Sequence, residues 1–177
     1  LNPTSENLYT YSFINKEHAK ICKDSCYKDL RNYRNLNYHG ILDWRLAVGL
    51  IRVLSDATYL SGLDGNWEYI EITDWPAMAD EYARDFAMTL GINIIENSRY
   101  YTIVENIPII CFKDINIVVT HPFWNTKNFP NLTILSRVIA ECENPARIFF
   151  VDTFNLNRRM AWCYEEFFKW FKNNNKR

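Results

Sequence analysis

The chain has 177 residues, 48% of them hydrophobic and 16% aromatic, which is enough apolar mass for one packed domain or two small ones and too much for a disordered segment. Net charge is −1, but residues 1–52 carry eight Lys/Arg against five Asp/Glu and residues 53–177 carry twelve against sixteen, so only the front is biased toward an anionic partner. No segment resembles a signal peptide and no apolar run reaches the roughly 18–20 residues a membrane-spanning helix needs.

Five cysteines, an odd number, fit a reducing, cytoplasmic setting in which thiols pack or bind metal rather than form bridges. The chain opens at Leu1 without a Met, so a piece of a longer protein is expected.

In chain order, "LYTYSFI" (8–14) reads as a short strand after a polar entry. The spacing of Leu42, Leu46, Leu50, Val53 and Leu54 predicts a helix. "SGLDGNW" breaks it with two glycines, and "WEYIEI" (67–72) alternates like a half-buried strand.

"TDWPAMADEYARDFAMTLG" predicts a second long helix, with Thr73 or Asp74 as cap, Pro76 in the first turn, Gly91 as terminator, and a buried stripe of Ala79, Tyr82, Ala83, Phe86 and Leu90. "INIIEN", "YYTIVEN", "IPIICFK" and "INIVVTHPFW" are β-rich runs separated at Asn-Ser, Glu-Asn and Lys-Asp, as in a meander. "NLTILSRVIAECEN" comes next as a helix capped by Asn131. "RIFFVDTF" is then a strand, and "NRRMAWCYEEFFKWFK" a closing helix with an aromatic face. The order predicts an α+β fold with a central mixed or mostly antiparallel sheet and flanking helices, preceded by a small Cys-containing helical motif. Its expected division is 1–56, the Cys/His motif with the first long helix, and 57–177, the α+β domain.

Several chemistries are missing. There is no G-x-x-x-x-G-K-[ST] phosphate loop, no glycine after Gly91, no H-E-x-x-H and no G-x-S-x-G. A restriction-type nuclease would suit the element order, with a degenerate restriction-endonuclease-like core as one form of it. Such sites need two carboxylates to hold a divalent ion and a Lys at the phosphate. No Asp/Glu-x-Lys triplet occurs. His121, before Pro122, reads as a strand-end residue, and Asp152 with Arg158 as a structural ion pair.

The sharpest constellation is Cys22-x3-Cys26-x2-Asp29, with His39 able to fold back as a fourth ligand. Two thiolates, an imidazole and a carboxylate can make a tetrahedral Zn²⁺ site. The same residues also read as buried small thiols beside a solvated Asp29. Cys111, Cys142 and Cys163 lie in apolar runs and read as core. Arg31, Tyr33, Arg34, Tyr38 and Arg45 alternate cations with rings, which suits either a phosphate-plus-stacking surface or a solvated face whose tyrosines seal a core.

"CKDSCYKDLRNYRNLNYHGILDWRLAVGL" (22–50) resembles the C-terminal helicase-associated zinc-binding region of large superfamily 2 DNA helicases and of DISARM-type antiphage helicase-associated proteins. Their pattern of Cys, "SCY-x-CL", Arg, Tyr, Asn, His and "LDWRL" is met by Cys22, Ser25, Cys26, Tyr27, Leu30, Arg31, Tyr33, Asn35, His39 and 42–46. "VVTHPFW" and "VDTFNLNRRMAWCYEEF" are similar to the later segments of those proteins. One family cysteine is Asp29 here, which leaves an oxygen in place of a thiolate.

The resemblance implies a noncatalytic C-terminal module that braces an ATP-dependent motor carried on N-terminal sequence outside this chain, with DNA as a further contact. It implies no activity for this segment alone. An active or degenerate nuclease, and a protein-interaction domain docking through the aromatic C-terminal helix, stand beside it as alternatives.

Overall fold

The computed structural model describes residues 2, 4–6, 8–94 and 99–174. The chain divides into two compact units, 1–75 and 76–177.

In the first unit a 3₁₀ turn (Tyr9–Ser12) leads into α1 (Lys16–Ile21). Asn15 caps α1 by accepting from the His18 N–H at 2.8 Å. A second 3₁₀ segment (Tyr33–Tyr38) starts at a reciprocal cap between Asn32 and Asn35. Then comes α2 (Trp44–Ser55), where the Asp43 side chain accepts from the Arg45 and Leu46 N–H groups. The core is small. Phe13, Cys22, Trp44 and Val48 are buried together, with Ile14, Ala19, Leu30 and Ile70 packed around them.

The two strands expected in this unit are absent. Residues 8–14 turn instead, because their backbone groups find partners three or four residues away: Tyr11 N–H to Leu8, Phe13 and Ile14 N–H to Thr10. Residues 67–72 also run through turns, with the Ile72 N–H donating to Tyr69 and the Trp75 N–H to Ile72. Neighbouring Glu71 and Ile72 are both buried, which a half-buried strand would not allow. Glu71 goes inside because it pairs with Arg52, whose guanidinium lies 4.6 Å from the Tyr69 ring. Trp67 stacks on Trp75 at 5.2 Å and covers Gly62, whose φ of +83° and contact with the Trp67 ring leave no room for a Cβ.

In the second unit α3 (Trp75–Thr89) buries Ala79, Tyr82, Ala83, Phe86 and Ala87 and ends before Gly91 at φ +74°. Three antiparallel strands come after it: β1 (Tyr101–Val104), β2 (Ile107–Phe112) and β3 (Ile115–Thr120). Glu105 and Asn106, both at positive φ, make the first hairpin turn, and Lys113 helps make the second. α4 (Ile134–Glu141) crosses over to β4 (Ile148–Asp152), which lies parallel to β3. The sheet order is β1-β2-β3-β4, so the fold is α+β with a four-stranded mixed sheet.

α4 is capped by Thr133 rather than Asn131. β3 ends at Thr120, and His121–Trp124 form a turn closed by the Trp124 N–H on the His121 carbonyl. Residues 92–94 carry no strand, and the rest of the run expected there falls outside the described residues. The closing helix α5 (Thr153–Asn174) bends at Arg159. Its aromatic face lies on the sheet: Phe167 is buried 5.3 Å from both Phe112 and Phe149. Among the described residues no helix is long and apolar enough to cross a membrane.

Candidate metal centre

α1 and the turn after it focus four side chains on one point. His18 lies within α1 and Cys22 is its C-cap, so the two stand four residues apart on one face. The Cys22 N–H still donates to the His18 carbonyl at 2.9 Å, which keeps that face helical to its end. The chain then reverses. The Asp29 and Arg31 N–H groups both donate to the Cys26 carbonyl, at 3.2 and 3.0 Å.

Asp29 divides its two oxygens between fold and site. Oδ1 accepts from the Cys26 N–H at 2.7 Å and from the Leu30 N–H, which fixes the turn. Oδ2 lies 3.0 Å from His18 Nε2 and 3.0 Å from Cys22 Sγ. Cys26 Sγ stands 3.5 Å from His18 Nε2. One donor atom from each of His18, Cys22, Cys26 and Asp29 lies within 4.8 Å of every other. His18, Cys22 and Asp29 are buried and Cys26 is half-buried.

These four side chains lie close enough to hold one metal ion. Tetrahedral coordination at ordinary zinc–nitrogen, zinc–oxygen and zinc–sulfur lengths sets neighbouring donors roughly 3.4–3.8 Å apart. The Cys26–His18 separation already has that value. The two contacts to Asp29 Oδ2 are hydrogen-bond length, and in one of them the Cys22 thiol donates to the carboxylate.

Burial opposes the charge on Asp29, yet the Leu30 N–H, the Cys22 thiol and the Cys26 N–H together hold its carboxyl below the usual range. Burial first, then the hydrogen bond and charge of Asp29, push the Cys22 thiol far above its ordinary value. A divalent cation held by these four side chains would displace the Cys22 proton. The His18 Nδ1 atom is buried and has no hydrogen-bond partner. The ring's polar contacts are therefore all at Nε2, the atom that faces the other ligands.

The site is tied to α2 from behind. The Cys22 carbonyl accepts from Trp44 Nε1 at 2.9 Å and from Arg45 Nη1 at 3.1 Å. Arg45 also donates to the Lys23 and Ala19 carbonyls and pairs with Asp74. His18 packs edge-on between rings, 5.2 Å from Trp44 and 5.5 Å from Phe13.

Of the expected ligands the structure brings together Cys22, Cys26 and Asp29, and leaves His39 out. His39 Nε2 instead lies 2.9 Å from Asn35 Oδ1 and 3.1 Å from the Asn32 carbonyl, because the 3₁₀ segment carries it into its own cap. The imidazole that joins the thiols is His18, upstream. The signal for it is present in the spacing: His18, Cys22 and Cys26 recur every four residues.

The expected nucleic-acid residues divide as well. Tyr33, Arg34 and Tyr38 are exposed, and Arg31 is half-buried with Nε on Ser25 Oγ at 2.8 Å. Arg45 is only 5% exposed. Its guanidinium is committed to carbonyls and Asp74, so it is a buried clamp rather than a phosphate contact.

His121 and Asp152 each make hydrogen bonds within the second unit. His121 is buried, with Nδ1 accepting from the Phe123 N–H at 3.2 Å. Asp152 caps α5 by accepting from the Asn155 N–H at 2.9 Å and from the Asn155 side chain. All five cysteines are free thiols. Burial pushes Cys142 and Cys163 up to about 11, as suits packing residues. The chain matches no protein-family model, no curated protein and no solved structure.

Proposed function

We propose that this chain is a noncatalytic module of a helicase-type DNA-processing protein, stapled by a structural zinc ion, that braces an ATP-dependent motor and contacts DNA through its basic front. The observation that carries the reading is the convergence of His18, Cys22, Cys26 and Asp29 on one focus. Two thiolates favour Zn²⁺ over harder cations, and one imidazole and one carboxylate complete four donors. Such an ion supplies a closed cross-link, not a reactive position. The site lies beside Phe13 and Trp44, where a metal cross-link adds stability to the apolar packing. The resemblance of 22–50 to helicase-associated regions, and the cation excess of 1–52, support the DNA part.

Elemental analysis of freshly purified protein tests it. One equivalent of zinc is expected in the native chain and in His39→Ala, and a sharp loss in Cys26→Ser and His18→Ala. Native protein without metal, whose melting temperature zinc does not raise, overturns the reading.

A second reading, a restriction-type nuclease core, is favoured by the second unit's order of helix, three antiparallel strands, helix, parallel strand and helix. Its catalytic version finds little support. β3 is buried throughout and carries no carboxylate, and Asp114 pairs with Arg147. Metal-dependent cleavage of plasmid by the purified chain, lost in Asp114→Asn or Asp152→Asn, would establish it.

A further inference from the structure

We infer that the turn between the ligands Cys26 and Asp29 presents a base-stacking platform for single-stranded DNA, ordered by the metal. The inference rests on the reading of the first unit as a metal-stapled, DNA-contacting module, and names the form of DNA it takes.

Tyr27 and Lys28 occupy the two positions between Cys26 and Asp29. Both ends of this step are fixed by the site. The Lys28 N–H lies on Cys26 Sγ at 3.4 Å, and the Tyr9 hydroxyl donates to the Lys28 and Asp29 carbonyls at 3.2 Å. The Tyr27 ring is thereby turned outward, 56% exposed. Two further rings gather on it: Tyr33 at 5.5 Å and His39 at 5.7 Å. Tyr33 is 83% exposed, so its ring seals no core and offers a face to a partner.

The stretch of sequence that carries the rings is rich in cations. Between Ser25 and Leu42 the cations are Lys28, Arg31 and Arg34, and the one carboxylate, Asp29, is buried among the ligands. Exposed rings within a cation-rich stretch match the two requirements of a single strand, unpaired base faces and a phosphate backbone. A duplex keeps its base faces stacked inside and offers the rings nothing. The Arg31 guanidinium, held through Nε by Ser25, and the exposed Arg34 supply the phosphate side.

The test is fluorescence anisotropy of the full, zinc-loaded chain with a fluorescein-labelled oligothymidylate and with a duplex of equal length. The single strand is expected to bind more tightly. Tyr33→Leu is expected to weaken it about ten-fold while Tyr33→Phe does not, since stacking needs the ring and not the hydroxyl. Arg34→Gln lowers the salt slope by about one ion, on both forms of DNA. Chelating the metal weakens single-strand binding at least as much as Tyr33→Leu.

Equal affinity for both forms, untouched by Tyr33→Leu, overturns the platform and leaves a DNA-contacting module. Failure of the zinc-loaded chain to bind either form overturns both. Because Tyr33 is largely exposed, its variants keep the native circular dichroism, and a loss of binding reports on the surface.

Discussion

The indole N–H of Trp44 donates to the carbonyl of Cys22 at 2.9 Å, across 22 residues of chain. A helix start and a candidate metal ligand are thus one structural unit, and perturbing either should be felt by the other. Stripping metal with a chelator should lower the melting temperature of the native chain and of His39→Ala, while His18→Ala and Cys26→Ser should start low and respond little. Ligand at a hundred times its dissociation constant contributes about 2.7 kcal/mol, so thermal unfolding in zinc buffers resolves the effect. A chelator response in His18→Ala equal to that of the native chain would sink the ligand set.

Arg45 gives the opposite outcome from the one its sequence context suggests. Its guanidinium satisfies the carbonyls of Ala19, Cys22 and Lys23 at the end of α1 and pairs with Asp74. Arg45→Gln should therefore destabilise the chain by about 3 kcal/mol, since a buried charge-assisted network loses its centre. The salt slope of any DNA binding should not move. Urea unfolding and a salt titration of the same variant measure both quantities, and a changed slope at unchanged stability would refute the assignment.

Gly62 is a site where one methyl group is costly. Its φ is +83°, and a Cβ there would fall on the Trp67 ring that stacks over Trp75. Gly62→Ala should cost about 2 kcal/mol or more, because backbone strain and displacement of the ring act together. Near-ultraviolet circular dichroism, which reports the tryptophan pair, should lose intensity in step with stability. A variant as stable as the native chain, with an unaltered signal, would mean that this contact is not made in solution.

His121 should make stability depend on pH. Burial drives its pKa down from 6.5 to about 3. Above about 6.5 neither the folded nor the unfolded chain protonates it, and its contribution is intact. As pH falls from there toward 3, the unfolded chain takes up a proton that the folded one refuses, and stability drops by about 1.4 kcal/mol per unit. His121→Asn keeps an acceptor for the Phe123 N–H and removes this titration. Between pH 6 and 4 its stability should fall less steeply than that of the native chain in denaturant melts, and parallel slopes would contradict the buried neutral imidazole.

Much of the second unit is legible as sequence. The β-rich runs in 101–120 and the Glu-Asn and Lys-Asp breaks give the hairpins, because strands of apolar and β-branched residues leave a local pattern and their turns sit at residues of positive φ. The α3 stripe of Ala79, Tyr82, Ala83 and Phe86 is legible for the same reason. The 67–72 segment misleads because its alternation comes from Glu71, which enters the interior only with Arg52. A one-dimensional pattern does not show an ion pair made across 19 residues.

The candidate site divides along the same line. Local spacing points to Cys22, Cys26 and Asp29 as a group, and the turn that joins Cys26 to Asp29 is a local feature. The choice of His18 over His39, and of a clamp over a phosphate contact for Arg45, belongs to tertiary structure. His18 and Asp29 stand 11 residues apart in the chain, and Arg45 and Asp74 stand 29 apart. Those meetings depend on how α1, the turn and α2 close around Phe13 and Trp44. Periodicity reports the burial of each side chain one element at a time, whereas the partner of a buried polar atom is set by packing between elements.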